Sequence, residues 1–383
     1  MMKRFYSFLM VVFVLLVGLT FSTKAKASKA EEGIPIGIIA PTTGGVAVYG
    51  QAVVNGLKLA IEEINAKGGV LGGKKLIPTY LDDKGDAVEG INSYNKLTGD
   101  KVKAIIGPVT SGVVSGVAEK ANKEGMIILT PSGTADSLTI GKPTVFRTCF
   151  TDSYQGRIIA KFAATKLNIK KAAVLYCGAD EYSLGLFTAF QDACKEFGIE
   201  IVAKETSASM EDIDFSAQLG NIAVTDAEAL FVPMYYGTVA LLAPQARHAG
   251  FDKILLGSDG WGGIGDKMGD NEEYFNNSFF TSHFSSEDKA EEVQNFVKNY
   301  TAKYGKESLN EFSALGYDSA YVLAQAINEA GSDETAKIAE AMSKMTFKGV
   351  TGRFNFDKNG DPVKGAPIIE LKDGELKWNS TVE

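Results

Sequence analysis

Histidine is nearly missing from this chain: His248 and His283 are the only two in 383 residues. Neither stands at a metal-ligand spacing, and His248 falls in a helical Gln-Ala-Arg-His stretch that reads as surface. Cysteine is scarce as well. Cys149, Cys177 and Cys194 fit no metal-site pattern, so no metal is expected. In an oxidising compartment one disulfide is open to them. Cys177 ends an expected strand and Cys194 lies on the next helix, which puts a bridge within reach; small cysteines buried as free thiols in an apolar core are the competing reading. The chain has no G-x-S-x-G elbow, no C-x-x-C pair and no Walker loop. Its glycine-rich run, residues 68–73, lies between a helix and a strand, whereas a dinucleotide fingerprint needs strand then helix. That run reads as a helix cap and turn. The acids Asp82 and Asp83 are adjacent on a strand and so point to opposite faces. Enzyme chemistry is not visible here, and no cofactor is expected.

Positive charge is also in short supply. A formal net charge of −8 excludes the basic face that nucleic-acid phosphates require. Long apolar runs are missing after the start, so a soluble mature chain is expected. The start itself is different. Lys3 and Arg4 precede an unbroken apolar run over 8–19, followed by the small-residue pattern Ala25-Lys26-Ala27. A helix of roughly 12 residues spans only about 18 Å, against about 30 Å of hydrocarbon. This is a secretory signal rather than an anchor, with cleavage expected near Ala27 and a signal peptide over 1–27. No cysteine adjoins that point, so no lipid anchor is expected.

A chain of this length suggests two domains. Strand-length apolar runs alternate with helix-period segments throughout. Expected strands cover 34–40, 75–81, 102–107 and 126–130, with helices at 51–66, 87–99 and 111–123 between them. After a helix at 152–166 the alternation resumes, with strands at 171–176, 199–204, 229–233, 254–257 and 278–283. Helices at 183–197, 214–223 and 238–249 separate them, and three more follow at 287–303, 311–329 and 333–345. The tail, 352–378, reads as turns and short strands. Apolar strands separated by helices imply parallel sheets covered on both faces. The fold class is therefore α/β, with two doubly wound lobes. No linker rich in proline, glycine or serine divides them, so strand-like hinges are expected.

In open parallel sheets, ligands gather beyond the carboxyl ends of the strands. In the first half, Pro108-Val109-Thr110-Ser111-Gly112 and Pro131-Ser132-Gly133-Thr134 occupy such ends. Both offer hydroxyls and backbone N–H groups, and a helix start adds partial positive charge. Together they form a carboxylate site without lysine or arginine. Ser111 by itself also fits a helix cap. In the second half, Tyr182, Tyr235, Tyr236 and the run Ser258-Asp259-Gly260-Trp261 follow strand ends. An acid among aromatics suits an ammonium group, although Asp259 by itself also fits an Asx-turn.

These stretches resemble the periplasmic leucine/isoleucine/valine-binding proteins, which feed branched-chain amino-acid ABC transporters. The resemblance runs from about Ile34 to the C-terminus. Its carriers are Glu63-Ile64-Asn65-Ala66-Lys67-Gly68-Gly69, Asp82-Asp83, Ile106-Gly107-Pro108, Thr130-Pro131-Ser132-Gly133-Thr134 and Asp152-Ser153-Tyr154-Gln155-Gly156, with Tyr182-Ser183-Leu184-Gly185, Asp214-Phe215-Ser216, Gln245-Ala246-Arg247 and Gly257-Ser258-Asp259-Gly260-Trp261. The family implies a type I periplasmic binding fold, two lobes joined by a three-segment hinge that close on a ligand. The lobes would be 33–147 plus 284–352 and 148–283 plus 353–383. It implies that Ser111 and the Ser132-Gly133-Thr134 loop hold an amino-acid carboxylate. Thr134 and Asp259 would take the ammonium, and Tyr49, Tyr182 and Tyr235 would wall the pocket. The implied partners are an amino acid and a membrane permease of an ABC transporter, with no nucleic acid and a monomeric state. A sensor for an amide, urea or aromatic acid is the alternative. The family often has glutamate where Asp259 stands and alanine where Ser132 stands. Some relatives carry an N-lobe disulfide that this chain, with no cysteine before Cys149, lacks.

Overall fold

A computed structural model describes residues 33–382; the expected signal peptide lies outside them. The first sheet contains β1 (Gly33–Ala40), β2 (Lys75–Asp82), β3 (Ile105–Ile106), β4 (Ile128–Thr130) and β5 (Val145–Arg147), in the order β2-β1-β3-β4-β5. Its pairings β1–β3, β3–β4 and β4–β5 are parallel. The helices α1 (Ala47–Ala66), α2 (Ala87–Gly99) and α3 (Ser111–Glu124) cover it. Local chemistry sets their ends. Asp86 accepts the N–H groups of Val88 and Glu89 at the start of α2. At the end of α3, Gly125 takes φ 70°, a left-handed turn that glycine adopts without Cβ strain.

The chain then leaves this sheet. It passes through α4 (Asp152–Thr165), started by Thr151 accepting from Tyr154 N, and builds a second sheet. The units are β6 (Lys171–Cys177), α5 (Glu181–Phe197), β7 (Glu200–Ser207), α6 (Ser216–Ala223), β8 (Ala229–Val232), α7 (Tyr236–His248), β9 (Ile254–Gly257), the short α8 (Gly265–Met268) and β10 (Ser278–Thr281). Next come α9 (Glu291–Tyr304), α10 (Glu311–Ala330) and α11 (Thr335–Lys344), of which α10 packs along α1. A two-stranded ribbon follows, β11 (Thr346–Gly349) with β12 (Gly352–Asn355). The chain ends in β13 (Ala366–Lys372) and β14 (Glu375–Val382), which extend the second sheet antiparallel. That sheet runs β14-β13-β10-β9-β8-β6-β7.

Both sheets wind alike. In each, the second strand in chain order lies outside the first and the third, fourth and fifth continue on the other side. This doubly wound order has its switch point between β1 and β3 in one sheet and between β6 and β8 in the other. The two-lobed α/β class holds. Several details differ from expectation. The strand expected over 102–107 shrinks to Ile105–Ile106, the helix expected from 287 starts at Glu291, and β5 was not foreseen. The tail is more regular than turns and short strands, because β13 and β14 find a sheet edge far away in sequence.

The crossings between sheets are tied together by buried polar groups. Arg147 Nε lies 2.7 Å from Asp361 Oδ1. Lys364 Nζ donates to Thr148 O and Thr351 Oγ1, and burial lowers its pKa to about 8. Asp318 accepts from Val350 N, Thr351 N and Thr351 Oγ1. All three cysteines are buried free thiols, so Cys177 and Cys194 form no bridge. Among the described residues no helix is long and apolar enough to cross a membrane, and no His/Cys/Asp/Glu group is arranged to hold a metal.

Candidate ligand-binding cleft

The two switch points face each other. Four helix starts follow the strands that flank them, and each contributes a side chain at the same place. Tyr49 stands in the first turn of α1 and Ser111 opens α3. Tyr182 stands in the first turn of α5 and Tyr235 precedes α7. A small cavity, narrower than the pockets that hold drug-sized ligands, lies between them. From the first lobe Tyr49, Val109, Thr110, Ser111, Ser132 and Phe312 line it. Tyr182, Tyr235, Asp259 and Gly260 line it from the second.

Hydrogen bonds close the cleft directly. Tyr49 Oη donates to Gly260 O and accepts from Tyr236 N. Tyr236 Oη donates to Gly45 O at 3.0 Å. Tyr49 also stacks on Phe312 and meets Tyr235 edge-on. Burial pushes the pKa of Tyr49, Tyr182 and Tyr235 well above 10, so all three remain neutral.

Ser111 is not the cap of α3; Thr110 occupies that position, without a side-chain bond. The Ser111 hydroxyl instead accepts from Thr134 N at 3.1 Å and Ala135 N at 3.3 Å. With both lone pairs used, its hydrogen is left to donate. Ser132 Oγ lines the cavity but donates to Val109 O. Gly133 and Thr134 sit one layer behind the wall. The Gly133 N–H goes to Thr130 Oγ1, and its carbonyl accepts from Arg147 Nη1 and Cys149 Sγ. Arg147 also donates to Ala135 O, so it clamps the loop between β4 and β5 from below. Thr134 Oγ1 is buried without a well-formed hydrogen bond, beside Asp152. Burial drives the Asp152 carboxyl well above its ordinary range, with the Thr134 hydroxyl pulling the other way.

Asp259 makes no Asx-turn with its own backbone. Its Oδ1 accepts from Tyr182 Oη at 2.7 Å and Gln155 Nε2 at 2.9 Å. Its Oδ2 lies 3.0 Å from His283 Nε2. Every one of these partners is an uncharged donor type at neutral pH, and among the described residues no lysine or arginine pairs with Asp259. A buried carboxylate on a cavity wall, held but not neutralised, calls for a cation.

Sequence reasoning missed Phe312, Gln155 and His283. Phe312 read as one more apolar position of a helix. Gln155 stands in the Asp-Ser-Tyr-Gln-Gly stretch, and His283 follows β10, so a strand-end signal was available for the latter.

Residues 33–375 match the model of the periplasmic binding protein family. The chain belongs to that family. A Brucella melitensis relative named Leu/Ile/Val-binding protein homolog 3 is 31% identical over 92% of this chain and 93% of its own. A leucine-, isoleucine-, valine-, threonine- and alanine-binding protein of Pseudomonas aeruginosa is 30% identical over 88% of this chain and 89% of its own. Among solved structures, the branched-chain amino acid transporter substrate-binding protein of Streptococcus pneumoniae, in complex with isoleucine, superposes with a TM-score of 0.85. It is 34% identical, covering 91% of this chain and 99% of that one. Membership of the family places the chain outside the cytoplasm and in the class of transporter solute-binding proteins.

Proposed function

We propose that this chain captures a branched-chain amino acid (leucine, isoleucine or valine) in the cleft and delivers it, as a monomer, to the permease of an ABC importer. The observation that carries the reading is Asp259, a buried carboxylate on the cavity wall supported only by neutral donors. A ligand ammonium completes it. On the opposite lobe, Ser111 Oγ and the N–H groups at the start of α3 receive the ligand carboxylate, helped by the helix dipole. Thr134 and Gly133 act by holding that corner in shape. Tyr49, Tyr182, Tyr235 and Phe312 enclose an apolar side chain.

The lobes are 33–147 plus 284–352 and 148–283 plus 353–383. A zwitterion bridges half-sites on both, so it favours closure by its differential affinity for the closed form. Micromolar binding needs about 8 kcal/mol, within reach of charge-assisted hydrogen bonds and an enclosed side chain. No catalytic step is part of this role. The aromatic-acid alternative has less support. A Rhodopseudomonas palustris protein in complex with benzoate shares the fold at 23% identity, but benzoate brings no cation to Asp259.

Calorimetry with the twenty amino acids tests the reading. Asp259→Ala removes one member of a buried charge pair and is expected to cost about 2–5 kcal/mol of affinity. Ser111→Ala is expected to cost about 1–3 kcal/mol. Unchanged affinity in both variants, with the fold intact, refutes the assignment.

A further inference from the structure

His283 takes no part in the closure described so far, yet its side chain is fully buried. Its ring lies on Phe150, centroids 3.8 Å apart. Its Nε2 is 3.0 Å from Asp259 Oδ2, and its Nδ1 is buried without a hydrogen-bond partner. A carboxylate accepts and does not donate, so Nε2 carries the hydrogen and Nδ1 the lone pair. Here a neutral ring fits better than an imidazolium, which would bury a second N–H with nowhere to send it.

We propose that His283 is a positioning residue for ligand recognition: its neutral imidazole fixes the Asp259 carboxylate while leaving its negative charge for a ligand ammonium. This rests on the amino-acid reading of the cleft. A carboxylate has about four lone-pair sites. Tyr182 and Gln155 use Oδ1, and His283 uses one side of Oδ2. One direction on Oδ2 is left. Lysine or arginine in place of His283 would fix the group equally well and cancel its charge.

The arrangement carries a condition on pH. Burial lowers the pKa of His283 below 6.5, with the Asp259 hydrogen bond opposing the shift. Protonation in acid would turn the neutral donor into a cation that competes with the ligand. The other titratable groups facing this cluster are Lys364, which also disfavours the imidazolium, and Asp152 and Glu311, whose carboxyls are raised chiefly by burial and further by Asp259. These carboxyls titrate in wild type and variants alike, so a ratio between the two isolates His283.

Two measurements decide it. The first is the imidazole ¹⁵N spectrum in His248→Gln, which leaves a single histidine. A neutral ring protonated at Nε2 at pH 7 is expected; an imidazolium, or a ring protonated at Nδ1, overturns the proposal. The second is leucine binding by calorimetry between pH 7.5 and 4.5. H283F keeps a ring on Phe150 and loses the donor, so its dissociation constant is expected to rise about 10- to 100-fold. It should not change for 4-methylpentanoate, which has no amino group. H283Q keeps a donor that does not titrate. The ratio of wild-type to H283Q dissociation constants is expected to hold constant above pH 6.5 and to rise only below it, where His283 takes up a proton. A ratio that already rises above pH 6.5, or that falls in acid, overturns the proposal. If wild type binds no amino acid, the reading of the cleft fails while the spectrum still decides the state of His283.

Discussion

Tyr49 and Phe312 stack with ring centroids 4.2 Å apart and planes 28° from parallel. One ring stands on α1 and the other on α10, and these helices meet glycine against backbone. A Cβ on Gly56 would collide with Ser313 O, and a Cβ on Gly316 with Val53 O. The wall of the cleft thus depends on a close helix crossing that only glycine permits.

Gly56→Ala is therefore expected to destabilise the protein by about 1–3 kcal/mol in urea unfolding, because the helices must part. Gly220, inside α6, has nothing within 4 Å of a built Cβ. Gly220→Ala is expected to stabilise by about 0.5–1 kcal/mol through helix propensity alone. Equal gains in both variants would contradict the close crossing.

Tyr182 Oη accepts from Gly260 N and donates to Asp259 Oδ1, each at 2.7 Å. Its single hydrogen goes to the carboxylate, so the contact with Ser258 Oγ has serine as donor. Tyr182→Phe leaves Gly260 N and Asp259 short of a partner in a dry site. The expected loss is about 1–3 kcal/mol in stability, read by urea unfolding, with a parallel loss of leucine affinity. Affinity and stability both unchanged would show that the hydroxyl is idle.

Much of this was legible in the sequence. Apolar runs such as β1, β6 and β8 are buried along most of their length and separated by amphipathic helices, so periodicity identified them. Tyr49, Ser111, Ser132, Tyr182, Tyr235 and Asp259 were picked out as strand-end residues or through the family motifs, and the fold gathers all six around one cavity. What escaped depends on contacts that a linear pattern does not carry. Gln155 reaches Asp259 across 104 positions. β5 has three residues, too few for a period. β13 reads as an isolated apolar run until β10 supplies an edge for it. For Gly133 and Thr134 the ligand role comes from the family motifs; in the fold the Gly133 carbonyl meets Arg147, the Thr134 hydroxyl lies beside Asp152, and the Thr134 N–H goes to Ser111 Oγ.

Cys149, Cys177 and Cys194 are buried as free thiols, and burial raises the pKa of Cys149 and Cys194 to about 12. The thiolate is the reactive form. A thiol reagent at pH 8 is expected to label none of them in the native protein and all three after denaturation. Only one thiol after denaturation without reductant would reveal a disulfide.

Glu311 opens α10, with its carboxyl packed against Gly262 of the other lobe. Burial raises its pKa from the ordinary 4.5 to about 8. Between these values the folded chain holds a proton that the unfolded chain has released. The unfolded state therefore binds fewer protons, and stability falls as pH rises, by at most about 1.4 kcal/mol per unit. The contribution is complete below about 4.5, declines through the interval and levels off above about 8. Glu311→Gln keeps the shape and cannot titrate. The difference in unfolding free energy between wild type and this variant is expected to shift against wild type from pH 5.5 to 8 and then to hold constant. Other carboxyls contribute equally to both proteins and cancel in that difference. Parallel curves across the whole range would mean that Glu311 ionises as freely in the folded chain as in the unfolded one.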